Sequence, residues 1–399
     1  MIKLIRIIVF TLIFIALSGC WSKKELSDLA ITTAIGIDKQ EDQYLVSAQI
    51  INPGEIAGKA LSNRTAVSTY EVEGRSISEA FRKMSKEAPR RMYLSHVRIV
   101  VIGETIAKEG LKQILDYLSR YYEARTDFYL VVTKDQTAHD ILSILTPIEK
   151  IPANKIFNSI KVSEGNWAPT KGVQLDDLIS KIISDGNNPV LTGIKYEGNL
   201  EEGSSLKNIE SVSSPTRVEL ENLALFRGDR LVGWFNTIEA KGFNYITDNI
   251  KETVGVIECE ENNGRITIQL FNSNTNVEGQ VKQGKPKIII DIKCELKVEE
   301  VSKCERKLSE EDTIKWIEEK SNKQIKKILL ASINKAKEHK ADVFGFGDTI
   351  RRANPKAWKG MRDNWNDELF PNLEIEIRAE STIRRLGTIT ESFQEQGKE

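Results

Sequence analysis

The residues that could do chemistry in this 399-residue chain are three histidines, four cysteines and 58 carboxylates. His96, His139 and His339 lie far apart without a His-x-x-x-His pair, and Cys259, Cys294 and Cys304 lack a Cys-x-x-Cys spacing, so neither set reads as a zinc site. Gly74-Arg-Ser76-Ile-Ser78 begins like a nucleophile elbow but has no closing Gly, and Ser76 serves better as a helix cap. Ser204-x-x-Lys207 has the spacing of an acyl-serine pair, yet it falls in a polar loop. Gly345-Phe-Gly347 follows a helix, with no third Gly to present backbone amides to a phosphate. Asp185-Gly-Asn-Asn188 is too short for a calcium loop. No pair of carboxylates stands out for acid–base work. The sequence thus assigns no catalytic residue, no metal ligand and no cofactor, and favours a binding or assembly role over an enzyme.

Cys20 is different. Lys3 and Arg6 precede an uncharged apolar run at 7–17, too short for the roughly 20 residues that a membrane-spanning helix needs. A basic start and a short apolar run are the layout of a secretory signal. Small residues then let Leu17-Ser18-Gly19-Cys20 lie extended in a peptidase groove. The tetrapeptide resembles the bacterial lipobox, whose Cys receives a diacylglyceryl group and becomes the mature N-terminus. Removing residues 1–19 leaves 55 basic against 58 acidic groups, a net charge of −3. Lipid is therefore the expected attachment, because two or three acyl chains hold a protein stably on a membrane. Lys23 and Lys24 add little.

Composition narrows the rest. With 40% hydrophobic and 29% charged residues the chain is a folding one. A mean hydropathy of −0.34 excludes a multi-span channel or transporter. A net charge of −1 argues against nucleic acid, which demands an excess of Lys and Arg. Cys294 lies in phase with an apolar strand face and Cys259 with Ile257, so both read as buried thiols acting as small hydrophobes. Export also permits a disulfide among Cys259, Cys294 and Cys304, and the sequence does not choose the pair.

Several elements must position these residues. Ala30–Asp38 and Tyr44–Asn52 read as a hairpin. Strands at 65–72, 96–102 and 128–133 alternate with helices opening at Ser76-Ile-Ser-Glu79, near residue 104 (running to about 122) and at Thr137-Ala-His-Asp140. That order predicts a mixed sheet with crossover helices. A short helix is expected at 175–183, and a polar loop at 198–215 is the best domain boundary. Beyond it, hairpins are predicted at 218–226/231–235 and at 254–260/265–271, the second around Asn262-Asn-Gly264. Ile288, Ile290, Ile292, Cys294, Leu296 and Val298 share one strand face. Ser309-Glu-Glu-Asp312 then caps a long amphipathic helix whose stripe is Ile314, Ile317, Ile325, Ile328, Leu329, Ile333 and Ala336. More helix near 348–368 and a strand at 373–383 complete it. The fold class is α+β and multi-domain: a signal peptide at 1–19, an N-terminal domain at 20–198, a linker at 199–215, a C-terminal antiparallel sheet with a long helix at 216–390, and a frayed tail at 391–399.

Three blocks together resemble the Ger(x)C family, the lipoprotein C subunits of spore germinant receptors. The first is Cys20-Trp21, Glu25-Leu26 and Ala34-Ile-Gly-Ile-Asp38; Ser22 departs from the Asp expected after the Trp. The second is Ser95-His96-Val-Arg98 running into Ile102-Gly103-Glu104 and Gly110-Leu111. The third is Asp342-Val-Phe-Gly-Phe-Gly347, Pro355-x-x-Trp358, Trp365 and Pro371. The resemblance implies lipidation at Cys20 and a place on the outer surface of the inner spore membrane. It also implies work with an A subunit and a permease-like B subunit in sensing nutrients, and a fold without an assigned catalytic site. Whether this subunit itself binds a germinant is not implied. Residue by residue, Gly103 and Gly110 read as helix punctuation and His96 as a hydrogen-bonded core group. Trp358 and Trp365, seven apart, read as one helical face, which is core if buried and a partner contact if exposed. Two other function classes are a solute-binding lipoprotein of a transporter, which the C-terminal hairpins fit poorly, and a cell-envelope hydrolase using two carboxylates.

Overall fold

The computed structural model describes residues 28–56, 64–121, 125–167, 169–259 and 263–385. Cys20, with the residues that resemble a lipobox, and the tail at 391–399 lie outside the described residues.

β1 (Leu29–Gln40) and β2 (Gln43–Ile51) form the expected hairpin, turning where Glu41 takes a φ of 52°. β3 (Val67–Gly74) extends it antiparallel. α1 (Ile77–Lys83) starts at Ser76, whose Oγ accepts the Glu79 N–H at 3.2 Å. β4 (Arg91–Tyr93) and β5 (Ile99–Ile102) both lie parallel to β1. The helix expected over 104–122 is two, α2 (Glu104–Glu109) and α3 (Lys112–Arg120). Gly110 breaks it with a φ of 134°, sending Leu111 N–H to the Asp229 carbonyl at 3.0 Å. β6 (Tyr129–Thr133), α4 (Ala138–Ser143), α5 (Pro152–Asn166), α6 (Leu175–Ile182) and β7 (Val190–Glu197) follow. Thr137 caps α4 as expected, accepting the Asp140 N–H at 3.1 Å.

The run Ile-Val-Val-Ile of β5 is apolar throughout because both faces of the sheet are covered. Ile99 and Val101 cluster with Ile141 of α4 and Phe157 of α5, while Val100 and Ile102 cluster with Leu115 of α3 and Leu178 of α6.

β8 (Arg217–Arg227) and β9 (Arg230–Trp234) extend the first sheet. Their hairpin is the one anticipated, but β8 pairs antiparallel with β7, so the sheet runs β3-β2-β1-β5-β6-β7-β8-β9. Residues 199–215 therefore join two neighbouring strands of one sheet. Asn208 holds that connection down: fully buried, it donates to the carbonyls of Leu145 and Thr216 and accepts the Thr216 N–H at 2.9 Å.

The second layer begins with α7 (Thr237–Ile246), opened by a capping box between Asn236 and Glu239. β10 (Thr253–Glu258), β11 (Arg265–Lys282) and β12 (Lys285–Ser302) pair antiparallel. Residues 272–287, unassigned in the sequence, extend the two long strands and turn at Gln283-Gly284, both at positive φ. The alternating face of β12 from Ile288 to Val298 is buried as read. α8 (Glu311–Glu338) is the long helix, with Ile317, Ile325, Leu329, Ile333 and Ala336 buried. Its cap is Glu310, without a side-chain cap bond, in place of the expected Ser309; Glu311 and Asp312 in the first turn offset the helix dipole instead. α9 (Phe346–Ala353) and β13 (Glu374–Arg385) complete the body. β13 lies parallel to β12, so this four-stranded sheet is mixed where an antiparallel one was expected. The crossover through α8 permits that orientation. Among the described residues no helix is long and apolar enough to cross a membrane.

Candidate functional site

The third sequence block ties the two sheets together. Past α8 the chain bends through Gly345, at a φ of 73°, and points the first N–H groups of α9 back at Asp342. The fully buried Asp342 carboxylate accepts from Phe346 N–H at 3.1 Å, Gly347 N–H at 2.7 Å and Trp365 Nε1 at 2.8 Å. Burial pushes its carboxyl up to about 6, against the downward pull of those donors. Asn366 Oδ1 accepts from the Asp342 N–H at 3.3 Å and from Asn188 Nδ2 at 3.0 Å, and Asn188 Oδ1 accepts from the Gly228 N–H at 2.8 Å. Asn188 N–H donates to the Asp342 carbonyl at 2.8 Å and Asp348 N–H to that of Gly186 at 3.1 Å. The loop before β7 and the β8–β9 turn are thereby pinned to the start of α9.

Trp358 and Trp365 belong to this knot. They are 4% and 0% exposed, and their rings meet edge-on at 5.1 Å. Trp358 closes a single turn at Pro355–Trp358 and Trp365 opens a separate one at Trp365–Leu369, so they do not share one helical face. Of the two readings of Trp358 and Trp365, packing favours the core: both rings are buried.

The first two blocks meet in a second knot. Asp38, at the end of β1, accepts the Ala138 N–H at 2.9 Å and the His139 N–H at 3.2 Å. Gly103 packs so closely that a Cβ there would lie 2.2 Å from Asp38 Oδ1. Burial pushes the Asp38 carboxyl up to about 6, again against its backbone donors.

His139 has the surroundings of a hydrolase base without the wiring. Ser143 Oγ lies 3.4 Å from Nε2, while Ser47 Oγ and Glu71 Oε1 lie 3.2 and 3.6 Å from Nδ1. Ser143 donates instead to the His139 carbonyl of its own helical turn at 2.9 Å, and Ser47 is fully buried with Glu71 Oε1 accepting from its Oγ at 3.2 Å. His96 is exposed, edge-on to Tyr93 at 5.7 Å, and not the core group expected. Among the described residues no three His, Cys, Asp or Glu side chains could hold a metal ion. Cys259 and Cys304 are joined in a disulfide with a Cα–Cα distance of 5.9 Å, which chooses the pair and corrects the reading of Cys259 as a free thiol. Cys294 is buried and free, its thiol pushed up to about 12 by burial.

Comparison with known proteins bears on what this framework is. A family described as "spore germination protein N-terminal domain" matches residues 22–196, and one described as "spore germination B3/GerAC like, C-terminal" matches residues 221–387. The chain is 34% identical to spore germination protein KC of Bacillus subtilis (strain 168), over 100% of this chain and 99% of that protein. The chain belongs to the Ger(x)C family of spore germination proteins. Spore germination protein A3 of the same organism is 24% identical over 96% of this chain and 98% of its own length. Among solved structures, the crystal structure of the GerBC protein shares the fold, with a TM-score of 0.56 at 17% identity over 88% of this chain and 96% of that one. The residues that carry the Ger(x)C resemblance within the described chain are thus largely those of the Asp38 and Asp342 knots. Asn188, Asn366 and Gly186 were missed, because a polar loop gives no periodic signal of what it will meet.

Proposed function

We propose that this Ger(x)C protein is the lipid-anchored, non-enzymatic C subunit of a spore nutrient germinant receptor. The observation that carries the reading is the full-length match to spore germination protein KC. In this reading Cys20 bears the lipid, the body stands on the outer surface of the inner spore membrane, and it docks on the A and B subunits to help them assemble. Two features support it. The buried carboxylates of both knots are taken up by backbone N–H groups and Trp365, which leaves them as struts and not as acids or bases. Asp28, the first described residue, lines a cleft with Arg82, Arg90 and Arg91. Eight residues of extended chain span at most about 29 Å, so a lipid on Cys20 keeps that arginine-bearing face near the headgroups.

The test is membrane partitioning and nutrient germination of spores carrying Cys20→Ala, with protein levels matched to wild type. Loss of the protein from the membrane together with loss of germination is expected. A variant that stays on the membrane removes the lipid anchor from the reading, and one that leaves it while germination is unchanged removes the receptor role.

A further inference from the structure

A cavity of about 470 Å³ opens between α7, β10 and α8, in the size range of small-molecule sites. Its walls are mainly apolar, with Val256, Ile268, Leu270, Ile325 and Ile328 among them, and Thr253, Ser321 and Gln324 add polar groups. Ile238 and Val256 on its rim are 55% and 45% exposed, more than a closed core would leave. One charged group stands inside the wall. Lys241 is only 9% exposed, with Nζ 3.5 Å from the ring centroid of Trp167. No Asp or Glu lines the cavity, and Lys241 makes no ion pair among the described residues. An ammonium on an apolar wall, backed by an aromatic face and met by no carboxylate, offers a seat for an anionic group. At the mouth Lys327 adds a second positive charge, and the neighbouring surface of α8 carries Lys323 and Lys326.

We propose that this cavity is a binding site for an apolar monocarboxylate, with the alkyl or aryl tail between α7 and α8 and the carboxylate on the Lys241 ammonium. The absence of any lining carboxylate selects against a zwitterionic amino acid, whose own ammonium would face Lys241 unpaired. It selects equally against an alkylamine. A neutral alcohol matches the walls but leaves Lys241 without a counter-charge. Burial already pulls the Lys241 ammonium down to about 8, a penalty that a bound carboxylate relieves. The site goes beyond the receptor-subunit reading and stands or falls separately from it.

The probes are decanoate, decanol and leucine, titrated calorimetrically into the mature chain carrying Cys20→Ser so that no micelle or bilayer competes for the tail. Decanoate is expected to bind at a single site, at least about tenfold more tightly than decanol, the ratio of a charge-assisted contact. Leucine is expected not to bind. Lys241→Met keeps the apolar stem and should bring decanoate down to the decanol level while leaving decanol unchanged. Gly255→Leu should abolish both without loss of fold, since a Cβ there meets nothing closer than 3.5 Å and points at the cavity-lining Ile268 and Gln324. The proposal is overturned if decanoate does not bind, if decanol binds as well as decanoate, or if Lys241→Met changes nothing. It is also overturned if none of the probes binds while Ile238→Asp weakens association with the other receptor subunits, which would make the groove a protein interface.

Discussion

Asp342 and Asp38 show what single residues do here. Each is a carboxylate taken out of water and held by the N–H groups that a helix start leaves without intrahelical partners. Each has a carboxyl raised from 3.8 to about 6, with burial the leading cause. A raised value means that the folded chain holds the proton more tightly than the unfolded chain. The stabilising contribution is then complete below pH 3.8 and is lost as pH rises through about 6. Asp38→Ala removes that titration, so its deficit in melting temperature against wild type should be largest near pH 4 and shrink toward pH 7. Calorimetry at four pH values across that range checks it, and a deficit that is flat or grows with pH refutes it. Both aspartates were visible in the sequence as members of recurring blocks. Their partners were not, because Ala138 lies 100 residues from Asp38 and Trp365 lies 23 from Asp342.

At the scale of elements, the second sheet is stapled at its end. The Cys259–Cys304 disulfide joins the end of β10 to the segment after β12, closing a separation of 45 residues that contains both long strands. Closing a loop of that length restricts the unfolded chain, which corresponds to roughly 2–4 kcal/mol of stability. The double variant Cys259→Ala/Cys304→Ala should unfold at correspondingly lower denaturant, and reduction of wild type should reproduce the shift. An unchanged midpoint would show that the staple adds nothing to the native hairpins. Cys294 should stay unmodified by thiol reagents in the folded state, because burial keeps its thiol protonated. Strand alternation in β12 and the stripe of α8 were legible because neighbours in the chain set those patterns. The parallel placing of β13 was not, since a strand's own residues look alike whichever direction its neighbour runs.

The whole molecule is two sheet-and-helix layers that share a hydrophobic core and are also tied by hydrogen bonds around Asp342. Gly186 lies against the start of α9 so tightly that a Cβ would sit 2.5 Å from Asp348 N and 2.6 Å from Gly347 C. Because backbone and not a flexible side chain would have to move, Gly186→Ala should cost about 1–3 kcal/mol. Differential scanning calorimetry should then show either a lower single transition or two separated ones, as the layers uncouple. A thermogram identical to wild type would mean that the joint is looser than its hydrogen bonds imply. The Arg227–Asp367 ion pair across the same joint is exposed on both sides, and contributes little by comparison.

By itself the sequence determined the signal-like N-terminus with Cys20, a covered strand within 96–102, the hairpins, the long helix and the family blocks. All of these rest on residue type and on periodicity between near neighbours in the chain. Only the tertiary structure decided that the β8–β9 hairpin joins the first sheet, that Cys259 pairs with Cys304 and that Trp358 and Trp365 are core. It also decided that Lys241 lines a cavity that no carboxylate lines. Each of these depends on which distant surfaces meet. A strand edge, a thiol or an ammonium carries no local mark of its eventual neighbour, and its cost or gain is set only once water has been excluded around it.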